Sequence, residues 1–101
     1  MKIPLEVVFT VDATEQVREI KAWWLSNRRI APDLFADELD GAIDVLAHTP
    51  TLGTPTADAR LPGVKRLLLQ QSRYHLYFRI ASGRLEILAV WHAVRGSGPD
   101  V

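Results

Sequence analysis

Apolar and polar positions repeat with two different periods along this chain, and the changes of period mark out its elements. From Ile3 to Val11 a loose alternation rich in Val, Ile and Phe predicts a strand. After Asp12 the period becomes helical: Val17, Ile20 and Trp24 form a stripe, with Trp23 and Leu25 beside it. Asp12 or Thr14 is placed to cap this helix, since either side chain offers an oxygen to the free amides of the first turn. The helix should end between Asn27 and Ile30, ahead of Pro32. Pro32 suits the first turn of a second helix, where its missing N–H costs nothing. There Phe35, Leu39, Ala42, Ile43 and Leu46 make an apolar stripe, and Asp33, Asp37, Glu38, Asp40 and Asp44 take most of the remaining surface. Pro50 closes this helix because it disfavours helical geometry at Thr49.

Residues 49–63 read as a loop rich in Thr, Pro and Gly, the longest irregular stretch and the kind of segment that is often mobile or functional. Its Gly53-Thr54-Pro55 is no phosphate-binding loop, because the Gly-Lys-Ser/Thr ending is missing. Alternation with a period of two then returns in residues 64–70, 73–81 and 84–92, separated by turns at Gln71-Ser72 and Ser82-Gly83. The order β-α-α-β-β-β implies an α+β fold, an antiparallel sheet with an N-terminal helical hairpin packed on one face. One domain over residues 1–96 is expected, with 97–101 as a flexible tail too rich in Gly and Pro to bury much.

Composition narrows the chemistry. A chain of 101 residues supports one core. With no cysteine, disulfides, thiolate metal sites and cysteine nucleophiles are excluded, which fits a reducing cytosol. No apolar run approaches the roughly 20 residues needed to cross a bilayer, and the N-terminus is not a signal peptide, so a cytoplasmic protein without membrane contact is expected. Net charge is zero but polarised: residues 1–59 hold five basic and ten acidic side chains, residues 60–101 seven basic and two acidic. The basic half suits a polyanionic partner, or its charges are simply solvated.

Strand parity sorts the candidate residues. In the strand at 73–81, Arg73, His75, Tyr77 and Arg79 share one face, while Tyr74, Leu76, Phe78 and Ile80 share the other and belong against the helices. Arg66, His92 and Arg95 are candidates to extend the cationic row. Guanidinium groups beside an aromatic ring suit RNA or an acidic peptide; the alternative is that an antiparallel sheet simply shows a wet face of this composition. His92 has the chemistry of a general acid or base, or serves as an ordinary strand-end residue. His48 and His75 have no metal-ligand spacing with it, so no metal or cofactor is expected. Trp24 belongs to the core stripe; Trp23 and Trp91 are candidates to anchor a partner.

Taken in order, several segments resemble the RelE/ParE superfamily of type II toxin–antitoxin toxins across residues 3–96. They are the helical hairpin ending in Leu46-Ala47-His48-Thr49-Pro50, then Gly53, then Leu61-Pro62-Gly63-Val64-Lys65-Arg66-Leu67-Leu68. Tyr74-His75-Leu76-Tyr77-Phe78-Arg79-Ile80 and the closing Leu85-Glu86-Ile87-Leu88-Ala89-Val90-Trp91-His92 complete the set. The resemblance implies a growth-inhibiting protein neutralised by a cognate antitoxin, whose C-terminal segment wraps the toxin with apolar anchors and acidic side chains. It also implies contact with DNA only through the antitoxin complex.

Two branches of that superfamily differ in chemistry. RelE-like members are ribosome-dependent mRNA endonucleases, with cations on the middle strands and an Arg and a Tyr or His near the end, which activate a ribose hydroxyl and stabilise phosphorane charge. By that resemblance Arg66, His92 and Arg95 would be the catalytic groups. However, His75 stands where a middle-strand Arg is expected, and Ala93 and Pro99 fall near the places of the Arg and Tyr. ParE-like members, associated with DNA gyrase and lacking an active site of their own, end their last strand as Trp91-His92-Ala93-Val94-Arg95 does here. This branch is favoured, with Arg73, His75, Tyr77, Arg79 and Trp91 expected to bind target or antitoxin. The alternatives are the endonuclease acting on ribosome and mRNA, and a non-toxic binding module derived from a toxin.

Overall fold

The computed structural model describes residues 3–57, 59–94 and 98–101. A first strand, β1 (Glu6–Phe9), leads into helix α1 (Val11–Asn27), and α2 (Leu34–His48) follows after a short connection. The remaining strands are β2 (Thr54–Pro55), β3 (Lys65–Leu69), β4 (Tyr74–Ala81) and β5 (Arg84–His92). They form one five-stranded sheet in the order β1-β5-β4-β3-β2.

The α+β architecture with a helical hairpin on one sheet face is as expected, and the sheet differs from expectation in two respects. First, it is mixed: β1 runs parallel to β5, with Glu6 opposite Arg84 and Phe9 opposite Ile87. The helical hairpin carries the chain across the sheet between β1 and β2, its two edges, so no tight turn forces β1 to run antiparallel. Second, the long loop contributes a strand of its own. Thr54 and Pro55 pair with Arg66 and Lys65, and both the amide and hydroxyl of Thr56 donate to the Val64 carbonyl, at 3.0 and 3.1 Å. Pro55 is tolerated because β2 is an edge strand. Gly53 allows the approach: its φ is 102°, and a Cβ there would lie 2.7 Å from Cζ of Phe78.

The helix cap also differs from expectation. Thr10, rather than Asp12 or Thr14, caps α1 by accepting from the Ala13 amide at 3.1 Å. Its position at the end of β1 explains the choice. The Thr10 amide donates to the Ile87 carbonyl at 3.0 Å, and its hydroxyl donates to the Leu88 carbonyl at 3.2 Å. Pairing of β1 with β5 stops at Ile87, so the next polar groups on that side of β5 need other partners. Thr10 serves one, and Gln16 Oε1 serves another by accepting from the Val90 amide at 2.8 Å. The N-cap and a side chain of α1 thus continue the ladder that β1 leaves unfinished.

One core lies between the helices and the sheet. Phe35, Leu39 and Leu46 of α2 are essentially inaccessible, as are Leu76, Phe78, Leu85 and Ile87 of the sheet, and Ala13 and Trp24 of α1 join them. Ile80, expected in that core, lies at the strand end and is 41% exposed. A second, smaller cluster occupies the other sheet face, where Val64, Tyr77, Leu88 and Ala89 are buried and Trp91 and Val101 pack against them.

A β-bulge decides which residues belong to which cluster. Tyr77 pairs with Ala89 but Phe78 pairs with Ile87, so Leu88 is an extra residue in β5. Before the bulge Leu85 and Ile87 face the helices, and after it Val90 does so, while Leu88 and Ala89 both fall in the opposite cluster. The alternation is therefore shifted by one residue at the end of β5.

Candidate functional site

The shift moves His92. Beyond the bulge His92 pairs with Tyr74, which belongs to the helix-side core. The two rings meet edge to face at 5.0 Å, and Tyr74 in turn packs edge to face on Phe35 at 5.1 Å. Uninterrupted alternation would have suggested the same face as Arg66 for this end of the strand, and the bulge is invisible to parity counting. Arg66 pairs with Tyr77 on the open face. Arg66 and His92, both candidates for one catalytic centre, therefore lie on opposite faces of the sheet. Arg95, the third candidate, is outside the described residues.

The expected outward row on β4 is divided in the same way. Tyr77 does face away from the helices, but it is only 7% exposed, covered by the second cluster. Arg79 is engaged with Glu86, its cross-strand neighbour, at 2.6 Å. His75 is partly buried opposite Trp91, which is half-buried on the same face. Burial first, and then the charges of Arg66 and Arg73, hold the His75 imidazole below its ordinary pKa, so it is neutral at pH 7. It can exchange hydrogen bonds but does not supply the cation that a middle-strand Arg would.

Arg66 and Tyr77 line a cleft of about 520 Å³ on the open face together with Pro55, Thr56 and Ala59. Gly98, Pro99 and Val101 line it too. Of the segment expected to be a free tail, residues 98–101 lie against the sheet: the Arg60 amide donates to the Val101 carbonyl at 2.6 Å, and Arg60 is 2.9 Å from Asp100. Val101 supplies an apolar side chain to the Tyr77 cluster, which gives this segment a surface to settle on.

Arg73 leaves the row altogether. It is the last residue of the β3–β4 turn, with a φ of 67° that is uncommon outside glycine. It lines a cleft on the helix side with Trp23, Trp24, Arg28, Tyr74 and His92. The turn is clamped by Glu38 of α2, which accepts from the Gln71 amide at 2.8 Å, the Ser72 amide at 2.9 Å and the Ser72 hydroxyl at 2.7 Å. Burial works against the Glu38 carboxylate, but these donors prevail and leave its pKa lowered.

This helix-side cleft is the part of the site that sequence reading missed. Its one legible sign was the Trp23-Trp24 pair followed by Arg28-Arg29 at the end of α1. The indoles meet edge to face at 5.8 Å, and the Arg28 guanidinium lies over both, at 5.7 and 5.9 Å from their centres. Trp24 is buried, and its Nε1 is the buried side-chain polar atom without a hydrogen-bond partner among the described residues. Such an orphan donor costs about 1–3 kcal/mol.

The family model for the ParE toxin of type II toxin–antitoxin systems, parDE, matches residues 7–95. The chain belongs to the ParE toxin family. Among solved structures, this toxin is similar to a chain of the chromosomal ParDE system from P. aeruginosa, with a TM-score of 0.68 at 20% identity, covering 87% of this chain and 95% of that one. It is similar to a chain of the RelBE2 toxin–antitoxin complex from Mycobacterium tuberculosis, with a TM-score of 0.62 at 24% identity, covering 89% and 99%. The third likeness is to the E. coli DinJ-YafQ toxin–antitoxin complex, with a TM-score of 0.61 at 9% identity, covering 95% and 100%. A sequence search of curated proteins gives no match.

The family match makes the chain a toxin of a type II toxin–antitoxin system within the RelE/ParE superfamily. The structural likenesses, at these low identities, carry the fold. No helix of the described residues is long and apolar enough to cross a membrane.

Proposed function

We propose that this toxin acts in the ParE manner. It arrests bacterial growth in the cytoplasm by binding a protein target, DNA gyrase, with no catalytic centre of its own. A cognate antitoxin silences it by direct contact, and DNA is engaged only through that complex. The observation that carries this reading is the separation of Arg66 from His92 by the sheet. Cleaving RNA through a 2′-hydroxyl needs a proton acceptor and a phosphate-stabilising cation converging on one linkage. Here the candidate imidazole packs on Tyr74 beneath the helices, and the candidate guanidinium lies on the open face. Burial and the charges of Arg66 and Arg73 disfavour protonation of His75, so it is a poor substitute for the missing middle-strand Arg. The antitoxin is inferred from the family match and from the toxin–antitoxin assemblies named for the similar structures.

Induced expression of the chain should halt growth, and co-expression of the small protein encoded beside it should restore growth. Purified toxin should inhibit supercoiling by gyrase and leave mRNA on translating ribosomes intact. Ribosome-dependent cleavage that disappears in a His92→Ala, Arg66→Ala double variant would establish the endonuclease reading instead. Normal growth at high expression would leave a binding module.

A further inference from the structure

The two edges of the sheet are protected unequally. At one edge β2 is two residues long and carries Pro55, and a short strand and a proline are both ways of blunting an edge. At the other, β1 has neither proline nor lysine between Glu6 and Phe9. Hydrogen bonding shows which of its backbone groups look outward. The Thr10 amide reaches the Ile87 carbonyl of β5 at 3.0 Å, and alternate residues of an extended strand point the same way, so Glu6 and Val8 also face β5. The odd-numbered residues face away. Leu5 agrees, since its amide donates to the Ala47 carbonyl at the end of α2 at 3.0 Å. Val7 and Phe9 then each present an amide and a carbonyl at the edge, and among the described residues these groups have no partner.

The free groups are complementary to themselves. A second β1, antiparallel and related by a twofold axis through Val8, sets Val7 opposite Phe9 of the second copy and Phe9 opposite Val7 of the second copy. Each such pair exchanges both of its bonds, so every free group on the two edges is used. Val8 meets Val8 of the second copy at the axis, at the close spacing of a pair that makes no hydrogen bonds. Glu6 falls opposite Thr10 and has Arg84 of its own chain 3.2 Å away, so no like charges are opposed. Val11 falls opposite Leu5, with Ile3 just beyond, and Ile3 and Val11 are 88% and 85% exposed. A net charge of zero puts no long-range repulsion in the way.

We propose that the β1 edge binds a second copy of this chain, by a twofold antiparallel pairing that makes one continuous sheet of the two. A foreign strand would meet the backbone groups, but every copy of this chain supplies the matching side chains at Leu5, Val8 and Val11. The cleft at Arg66 and Tyr77 lies on β3 and β4, toward the opposite edge, and stays open in the pair. This association is independent of the toxin's target.

Sedimentation equilibrium of the purified full chain should show a mass rising from 11.3 kDa toward twice that value, with a dissociation constant on the order of 10 µM. Val8 belongs to neither buried cluster, so it can carry a charge without opening the core. Val8→Lys and Val8→Glu should each weaken association by about tenfold or more, because like charges meet at the axis. Mixing the two variants should restore it. Thermal unfolding checks that each variant still folds. In hydrogen exchange of the wild type, the Val7 and Phe9 amides should gain protection as concentration rises, while the Val8 amide, directed at β5, is protected throughout. That measurement decides the matter even where a variant unfolds. A chain that stays monomeric well above that concentration overturns the proposal, as does a dimer that survives Val8→Lys, a mixture that does not re-form, or a dimer without new protection at Val7 and Phe9. Protection that appears there only when another protein is added gives the edge to that protein and overturns self-pairing as well.

Discussion

The two faces of the sheet bury apolar surface by different means. On the helix side, two helices close over Leu76, Phe78, Leu85 and Ile87 and remove them from solvent altogether. On the open side no helix covers the sheet among the described residues, and Val64, Tyr77, Leu88 and Ala89 are shielded by one another, by Trp91, and by Ala59 and Val101. The first face carries the stability of the domain, because dense packing from both sides leaves no room to relax. The second borrows its shielding from chain that approaches late in the sequence, and it is the easier of the two to uncover.

Truncating a core side chain on each face should produce the largest difference between them. Phe78→Ala should cost about 3–5 kcal/mol, while Leu88→Ala should cost about 2 kcal/mol, because the open side collapses more readily around a lost side chain. Urea denaturation measures both, and equal losses would mean that the open face is a second full core. Gly53→Ala ties the two regions, since the new methyl would press on Phe78 from the loop that feeds β2. A loss of about 1–3 kcal/mol is expected, with the Thr56 amide, which donates to the Val64 carbonyl, exchanging faster by NMR. Retention of wild-type stability would show that the Phe78 ring can give way.

Two titratable groups, one on each side of the sheet, give smaller effects. Glu38 has a lowered folded pKa, so its clamp stabilises the protein above the ordinary carboxylate range and is lost as pH falls through the folded value. Wild type should therefore lose its advantage over Glu38→Gln in acid, and parallel stability curves would show that the clamp does not depend on charge. His75 also has a lowered folded pKa, so the unfolded chain takes up its proton first. Stability should fall as pH drops below the ordinary value of 6.5, toward the folded pKa, and His75→Gln should flatten that slope by a small amount. An unchanged slope in the variant would place the effect on another group.

Much of this molecule is legible in its local pattern, for a physical reason. The stripe Phe35, Leu39, Leu46 found its core because a helix facing a core must repeat apolar residues at that spacing. The hairpin turn at Ser82-Gly83 was readable because two successive residues with positive φ, 53° and 72°, suit the twist of paired strands. The order of the segments was enough to suggest the superfamily. Other features are not local. The cap moved to Thr10 because β5, 78 residues away, offered a carbonyl at the helix start. The site divided because one extra residue, Leu88, reversed the alternation before His92.

The elements, their order and the residues able to do chemistry follow from neighbours in the chain. Which of those residues meet depends on the folded arrangement of the strands. It separated Arg66 from His92, buried Tyr77, and brought Arg73 from the turn to the Trp23-Trp24 pair. Pairing register and a single bulge set those encounters, and both arise from contacts between strands that no local window contains.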